Sequence, residues 1–432
     1  MSTRLSYRAF ATFGAIYGLL SLLRYWTYHS RSLDMAFYVR LVWGMGHGRP
    51  DNPIVDAPHW LGLHLEPALF VPAALGRMGV PIAEMLLILQ VFGAALALFP
   101  LYSLARRRLA PVCGEGAALA AALTIYLLPT VSRGIDYDFH PVTIAIAPIA
   151  AWINEVDAGR WRRAWAWFLV ALLFREDIGL QVAAAALAFV AFPTESGALR
   201  RVLGAQAAVG LCWFFGYALL VQPHFLPEPG ASSFGAHFER FGGGAGGVSG
   251  VLAAALAHPV ELLKYLASGD RLMYVPALLS TVGMVALAEP RWLAGILPIV
   301  GINLLSDFAG VRGVQSHYAT AMAPFLVAAA ILGAARIGAR LSGRNRTVPV
   351  FALVAAATLW FWFRGAAPGA PDFTLAAYRD DDFAREARVR AAQLAGEPRV
   401  VAEVRLLAHL AERPEPLLDP SQRLYWKQPA AR

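Results

Sequence analysis

Between the first apolar run of this chain and the second lies the segment Arg31 to Pro67, which holds Asp34, Asp51, Asp56, Glu66, His47, His59 and His64. Three later stretches join it: Asp136-Tyr-Asp138-Phe-His140-Pro141, Arg175-Glu176-Asp177, and a loop with Arg312, Gln315, His317 and Tyr318. Asp34 is the one carboxylate of the apolar stretch LDMAFYVRLVW. Partial desolvation there raises a carboxyl pKa and suits it to take a proton. The plainer alternative is a helix cap or a solvated face. Two acids two residues apart beside a histidine (Asp136, Asp138, His140) can hold a divalent metal or a sugar hydroxyl. Asp138 can equally cap the helix that Pro141 opens, and His64 and Glu66 admit the same role before Pro67. A charge within a membrane costs roughly 2.5–3.5 kcal/mol. Arg175, Glu176 and Asp177 are therefore either an ion pair bending a helix hairpin or a guanidinium fork for an anionic headgroup. His47 lies in a Gly-His-Gly-Arg turn, and His47, His59 and His64 lack the spacing of a zinc site. Arg312, Gln315, His317 and Tyr318 read as phosphate or sugar contacts, or as ordinary loop polarity.

The elements that must position these groups are membrane helices. Of 432 residues, 58% are hydrophobic and 15% charged, where a soluble domain has roughly 25% charged. Mean hydropathy is +0.51, and several runs exceed the roughly 18 apolar residues that cross a bilayer. The pattern predicts an all-α, multi-spanning integral membrane protein with about eleven spans, the first from Arg8 to Tyr28 as an uncleaved signal anchor. Residues 1–364 form the membrane domain. Its first extracytoplasmic loop, 29–82, holds two surface helices, Asp34 to Trp43 and Pro67 to Met78. Ala164 to Phe192 predicts two short helices meeting at Arg175. A Gly-rich turn is expected at Gly242 to Gly247, followed by a surface helix from Val251 to Ala267. The polar tail, 365–432, is too short for a large core of its own.

Charge fixes the orientation. With a cytoplasmic N-terminus, alternation puts Arg106 to Arg108, Arg160 to Arg163, Arg200, Arg201, Arg291 and Arg336 to Arg346 on the inside, as the positive-inside rule requires. The polar chemistry and the C-terminus then face outward from the inner (plasma) membrane. The net charge of +8 thus reports orientation. Without a basic stripe interleaved with aromatics, the chain does not read as a nucleic-acid binder. Cys113 and Cys212 read as unpaired small hydrophobes.

The motifs Asp34-x-x-Phe37-Tyr38, Leu41-x-Trp43-x-x-x-His47-Gly48, His64-x-x-Pro67, Leu89-Gln90, Asp138-Phe-His140-Pro141 and Arg175-Glu-Asp177 together resemble the family filed as domain of unknown function 2079. That family is similar to the C-type glycosyltransferase superfamily (GT-C). The resemblance implies a GT-C-like helical bundle, a polyprenyl-phosphate-linked sugar as donor, and Asp34 as the catalytic acid of the first outer loop. On this reading His47, His64, Glu66, Asp136, Asp138, His140, Arg175, Glu176, Asp177, Arg312 and His317 contact substrate, with the phosphate at Arg175 and Arg312. The cofactor stays open, a divalent metal at Asp138 and His140 being the candidate. The rivals are a transporter or flippase of a lipid-linked or anionic solute, and a non-catalytic membrane assembly factor. A transporter calls for helices broken in paired positions near mid-membrane.

Overall fold

A computed structural model of the chain describes residues 2–31, 33–191, 197–226, 238, 250–251, 253–366, 368 and 370–419. The expected turn at Gly242 to Gly247 lies outside them. Helix dominates, in the order α1 Ser2–Trp26, α2 Leu33–Gly46, α3 Phe70–Arg77, α4 Ile82–Leu96, α5 Leu98–Arg108, α6 Ala110–Cys113, α7 Glu115–Leu127, α8 Pro129–Asp136, α9 Pro141–Asp157, α10 Trp161–Leu172, α11 Ile178–Ala191 and α12 Gly197–Phe215. Apolar helices continue through Ala323–Gly338 and Val348–Arg364. Two four-residue strands, β1 Arg399–Ala402 and β2 Glu415–Leu418, pair in parallel in the tail.

By length and composition, four described helices can cross a membrane: Ile82–Arg108, Gly197–Phe225, Ala309–Gly338 and Gly343–Arg364. The pair α7 and α8, bent by 42°, is a fifth if taken as one span. That is fewer than the expected eleven or so, and helix length is the reason. α10 and α11 have 12 and 14 residues, about 18 and 21 Å at 1.5 Å per residue, against a hydrocarbon core of about 30 Å. They meet at Arg175, Glu176 and Asp177, as the sequence predicts. α1 is 25 residues long but carries Arg4, Arg8 and Arg24.

In lipid the apolar surface of a helix gains little by leaving one greasy phase for another, so close packing must hold the bundle. Ala309–Gly338 is its central pillar, with 89% of its apolar window buried, against 22% for Gly343–Arg364 at the rim. Around it Trp152, Phe168 and Phe325 fill one core. α11 and α12 cross where Gly179 faces Gly210; a Cβ built on either would sit 2.5 Å from the other's carbonyl oxygen. Only glycine fits both positions.

A second core lies outside the bundle and corrects one expectation. α2 is not spread on an open membrane surface: Leu33, Met35, Ala36, Val39 and Val42 are buried. The tail, expected to be too short for a large core of its own, shares this one through Ala387, Val400, Leu406, Leu407, Leu410 and Leu418. The Arg40 side chain is fully buried, donating to Asp51 Oδ2 at 3.1 Å and to the Pro414 carbonyl at 3.3 Å. His409 stacks on Tyr25 and Tyr28 at 4.1 and 3.7 Å. Polar by composition, the tail has enough apolar positions at helix spacing to cap α2 from above. The expected helix from Val251 to Ala267 is broken at His258, where Pro259 restarts it as Pro259–Leu266.

Candidate functional site

Asp34 lies in the first turn of α2, where the unpaired N–H groups and helix dipole favour a carboxylate. Opposite it, His140 opens α9 from an extended conformation, with Pro141 at the first helical position. The turn before it needs Asp138 at φ +73°, a left-handed conformation unusual for a side chain other than glycine or asparagine. Gln90, fully buried on α4, locks that turn. Its Nε2 donates to the carbonyls of Ile135 and Asp138 at 3.3 and 2.8 Å, and its Oε1 accepts the His140 N–H at 3.2 Å. His140 Nε2 consequently comes within 3.4 Å of Asp34 Oδ2. The ring stacks on His317 at 4.0 Å, and His317 in turn meets Tyr137 at 4.8 Å and Tyr318 at 4.1 Å. His140 Nδ1 is buried without a hydrogen-bond partner among the described residues.

One helical turn beyond Asp34, on the same face of α2, the Tyr38 hydroxyl donates to Glu66 Oε1 at 3.1 Å. The Tyr38 ring lies 6.0 Å from His140, edge to face. The loop after Glu66 is tied to the α10–α11 link by Ala68 N–H to the Leu173 carbonyl at 2.9 Å. At that link His64 Nδ1 meets Glu176 Oε1 at 2.9 Å, and Leu65 N–H donates to Glu176 Oε2 at 2.9 Å. Arg175 is held by Asp177, through Nη2 at 2.5 Å and Nε at 3.0 Å. Burial works against the charged His64 imidazole, but Glu176 outweighs it and holds the His64 pKa above its usual value. The same pairing, against burial, holds Glu176 below its usual range. Glu66 goes the other way. Burial is the largest cause and Glu176 adds to it, while His64, Arg175 and the Tyr38 hydroxyl oppose it and fall short, so its pKa is pushed up to about 7.

Tyr38 links the two groups: its ring lies 6.0 Å from His140 beside Asp34, and its hydroxyl meets Glu66 beside the α10–α11 link. Asp34, His64, Glu66, His140, Arg175, Glu176, Asp177 and His317 are thus brought together. A carboxylate, a neutral-range carboxyl, a guanidinium and flat aromatic faces are the group types that a proton acceptor and an anionic group would call for.

Four of the predicted residues go elsewhere. Asp136 is the hub of an ion cluster with Arg24, Arg31 and Arg133. The Asp138 carboxylate accepts the Arg31 N–H at 3.1 Å. Among the described residues no three His, Cys, Asp or Glu side chains group to hold a metal ion. His47 folds back onto its own helix, with Nδ1 2.8 Å from the Trp43 carbonyl and its ring stacked on Trp43 at 4.3 Å. Arg312 pairs with Asp270 at 2.5 Å and donates to the carbonyls of Asn303 and Ser306 at 3.2 and 2.7 Å. Sequence reasoning gave no role to Gln90, Tyr38 or Tyr137, but did single out Tyr318 as a phosphate or sugar contact. The spacing of Tyr38 four residues after Asp34 was the available signal.

The chain does not match any curated protein. A family model does match, described as predicted membrane protein (DUF2079), over residues 24–428. The matched span includes Asp34, the α10–α11 charges and the tail that packs on α2, and the chain belongs to this family of predicted membrane proteins, domain of unknown function 2079.

Proposed function

We propose that this protein is a GT-C-type glycosyltransferase that takes a sugar from a polyprenyl-phosphate donor at the outer face of the inner membrane. The carrying observation is that Asp34 lies 3.4 Å from His140, while Tyr38, one turn along the same helix, reaches from His140 to Glu66 beside the Arg175–Asp177 link. In an inverting transfer the acceptor O–H gives its proton to the Asp34 carboxylate. The acceptor oxygen bonds to the anomeric carbon, and the bond from that carbon to the phosphate oxygen breaks on the opposite face. Its electron pair leaves with the lipid phosphate, whose charge meets Arg175. His140 and His317 orient Asp34 and flank the sugar. The test is transfer of labelled sugar from polyprenyl-phosphate donors to acceptor by protein reconstituted in bilayers. Labelled product supports the reading. Accumulation of intact donor or solute across the bilayer, without product, replaces it with transport.

The reading includes a multi-pass chain of about eleven crossings with an inside N-terminus and outside C-terminus, the shorter helices crossing as bent or paired elements. Reporter fusions after Arg346 and after Arg432 are expected to give opposite signals. Matching signals overturn the topology.

A further inference from the structure

Among the described residues the buried charges around Arg175 do not balance when all are ionised. Arg175 and a protonated His64 carry positive charge; Glu176, Asp177 and Glu66 carry negative charge when deprotonated. Glu66 is 1% exposed. It is faced by Tyr38 from α2, His64 from its own loop, Arg175 and Glu176 from the α10–α11 link, and Tyr217 from the segment Gly216–Val221. The Tyr217 hydroxyl donates to the Leu61 carbonyl at 2.9 Å and does not neutralise a carboxylate. His64 is already claimed by Glu176 at 2.9 Å, and Arg175 by Asp177 at 2.5 Å. Among the described residues Glu66 is left with the Tyr38 phenol as its side-chain partner, at 3.1 Å. A neutral hydroxyl stabilises a buried carboxylate far less than a cation does.

With Glu66 neutral the cluster holds two positive and two negative charges. With Glu66 ionised it carries one excess negative charge, in a buried site where charges interact strongly. An incoming anion adds another. We propose that Glu66 is the proton carrier of this site: it takes up one proton from solvent when an anionic headgroup seats against Arg175, and gives that proton back on release. The inference rests on the reading of Arg175 as a phosphate-binding group and adds the residue that links binding to pH. The Glu66 pKa near 7 places the change where cells work. Linkage fixes the sign: a bound anion raises the Glu66 pKa further, so affinity is full below about pH 7 and falls as pH rises through it. Couplings of this kind amount to roughly 5- to 150-fold in affinity.

The experiment uses the full chain in detergent micelles and the methyl phosphodiester of farnesol, a lipid whose single charge is constant across the range. Affinity is measured calorimetrically from pH 5.5 to 8.0 in two buffers of different ionisation enthalpy. The expected result for the natural protein is weakening on the order of fivefold or more between pH 6 and 8, with net proton uptake on binding. Glu66→Gln is expected to bind at every pH with the low-pH affinity and to take up no proton. If that variant does not fold, Tyr38→Phe serves: losing the hydroxyl raises the Glu66 pKa, so the fall in affinity moves to higher pH. A flat profile in the natural protein overturns the inference while leaving Arg175 as the phosphate site. A pH slope that survives in Glu66→Gln, or that does not move in Tyr38→Phe, gives the proton to His64 and also overturns it. Absence of binding at every pH overturns both the inference and the phosphate reading.

Discussion

Replacing Asp34 by asparagine is expected to leave the protein folded and to lower sugar transfer at least about a hundredfold. The amide keeps the size of the carboxylate and its ability to accept a hydrogen bond in the first turn of α2, but it cannot accept a proton. A general base typically contributes about 10²–10⁴ in rate, and its removal lowers kcat and kcat/KM together. Donor affinity should stay near the natural value, because Arg175 is held by Asp177 on another element. His140→Gln is expected to give a smaller loss of transfer, since it touches Asp34 at 3.4 Å and acts through it. The measurement is labelled-sugar transfer by variants that elute from size exclusion like the natural protein. If Asp34→Asn keeps its activity while Asp34→Ala only lowers thermal stability, the side chain is a helix cap and the catalytic assignment fails.

What the sequence made legible follows a physical divide. Asp34, His140, Arg175 and Glu66 could be picked out because a charge in so apolar a chain is costly and therefore conspicuous. The break between α10 and α11 was visible for the same reason. Tyr38 and Tyr137 were not, because tyrosine in a membrane protein reads equally as interfacial belt or as packing. Gln90 was hidden too. Its three hydrogen bonds go to residues 45 to 50 positions away, which no local spacing reveals. The burial of α2 rests on pairings such as Leu33 with Leu406 in one core, more than 370 positions apart in the sequence. Arg312 and Asp136 were singled out from the sequence as well, and in both cases the charge is met by an ion pair, with Asp270 and with Arg24. Cost alone does not separate a binding charge from a structural one. The separation needs the identity of the partner.

For Asp136 that partner set predicts a stability effect rather than a catalytic one. Its side chain is 6% exposed and lies against Arg24, with Arg31 at 3.0 Å and Arg133 at 3.5 Å. The Tyr378 hydroxyl donates to it at 3.0 Å, so the same carboxylate ties α1, α8 and the start of the tail together. Asp136→Asn removes the negative charge and leaves guanidiniums facing one another in a buried place. Breaking a buried pair by deleting one partner costs about 3–5 kcal/mol, because the charge left behind is uncompensated. The expected result is a large fall in folded yield and in the midpoint of thermal unfolding by intrinsic fluorescence. Removing a guanidinium as well, in Asp136→Asn with Arg24→Met, should recover much of the loss, since the pair is then absent rather than broken. Arg133→Gln alone should cost far less: its side chain is 14% exposed and its other carboxylate, Asp372, is 55% exposed. A fully stable Asp136→Asn that has lost sugar transfer would reverse this assignment and return Asp136 to the substrate site.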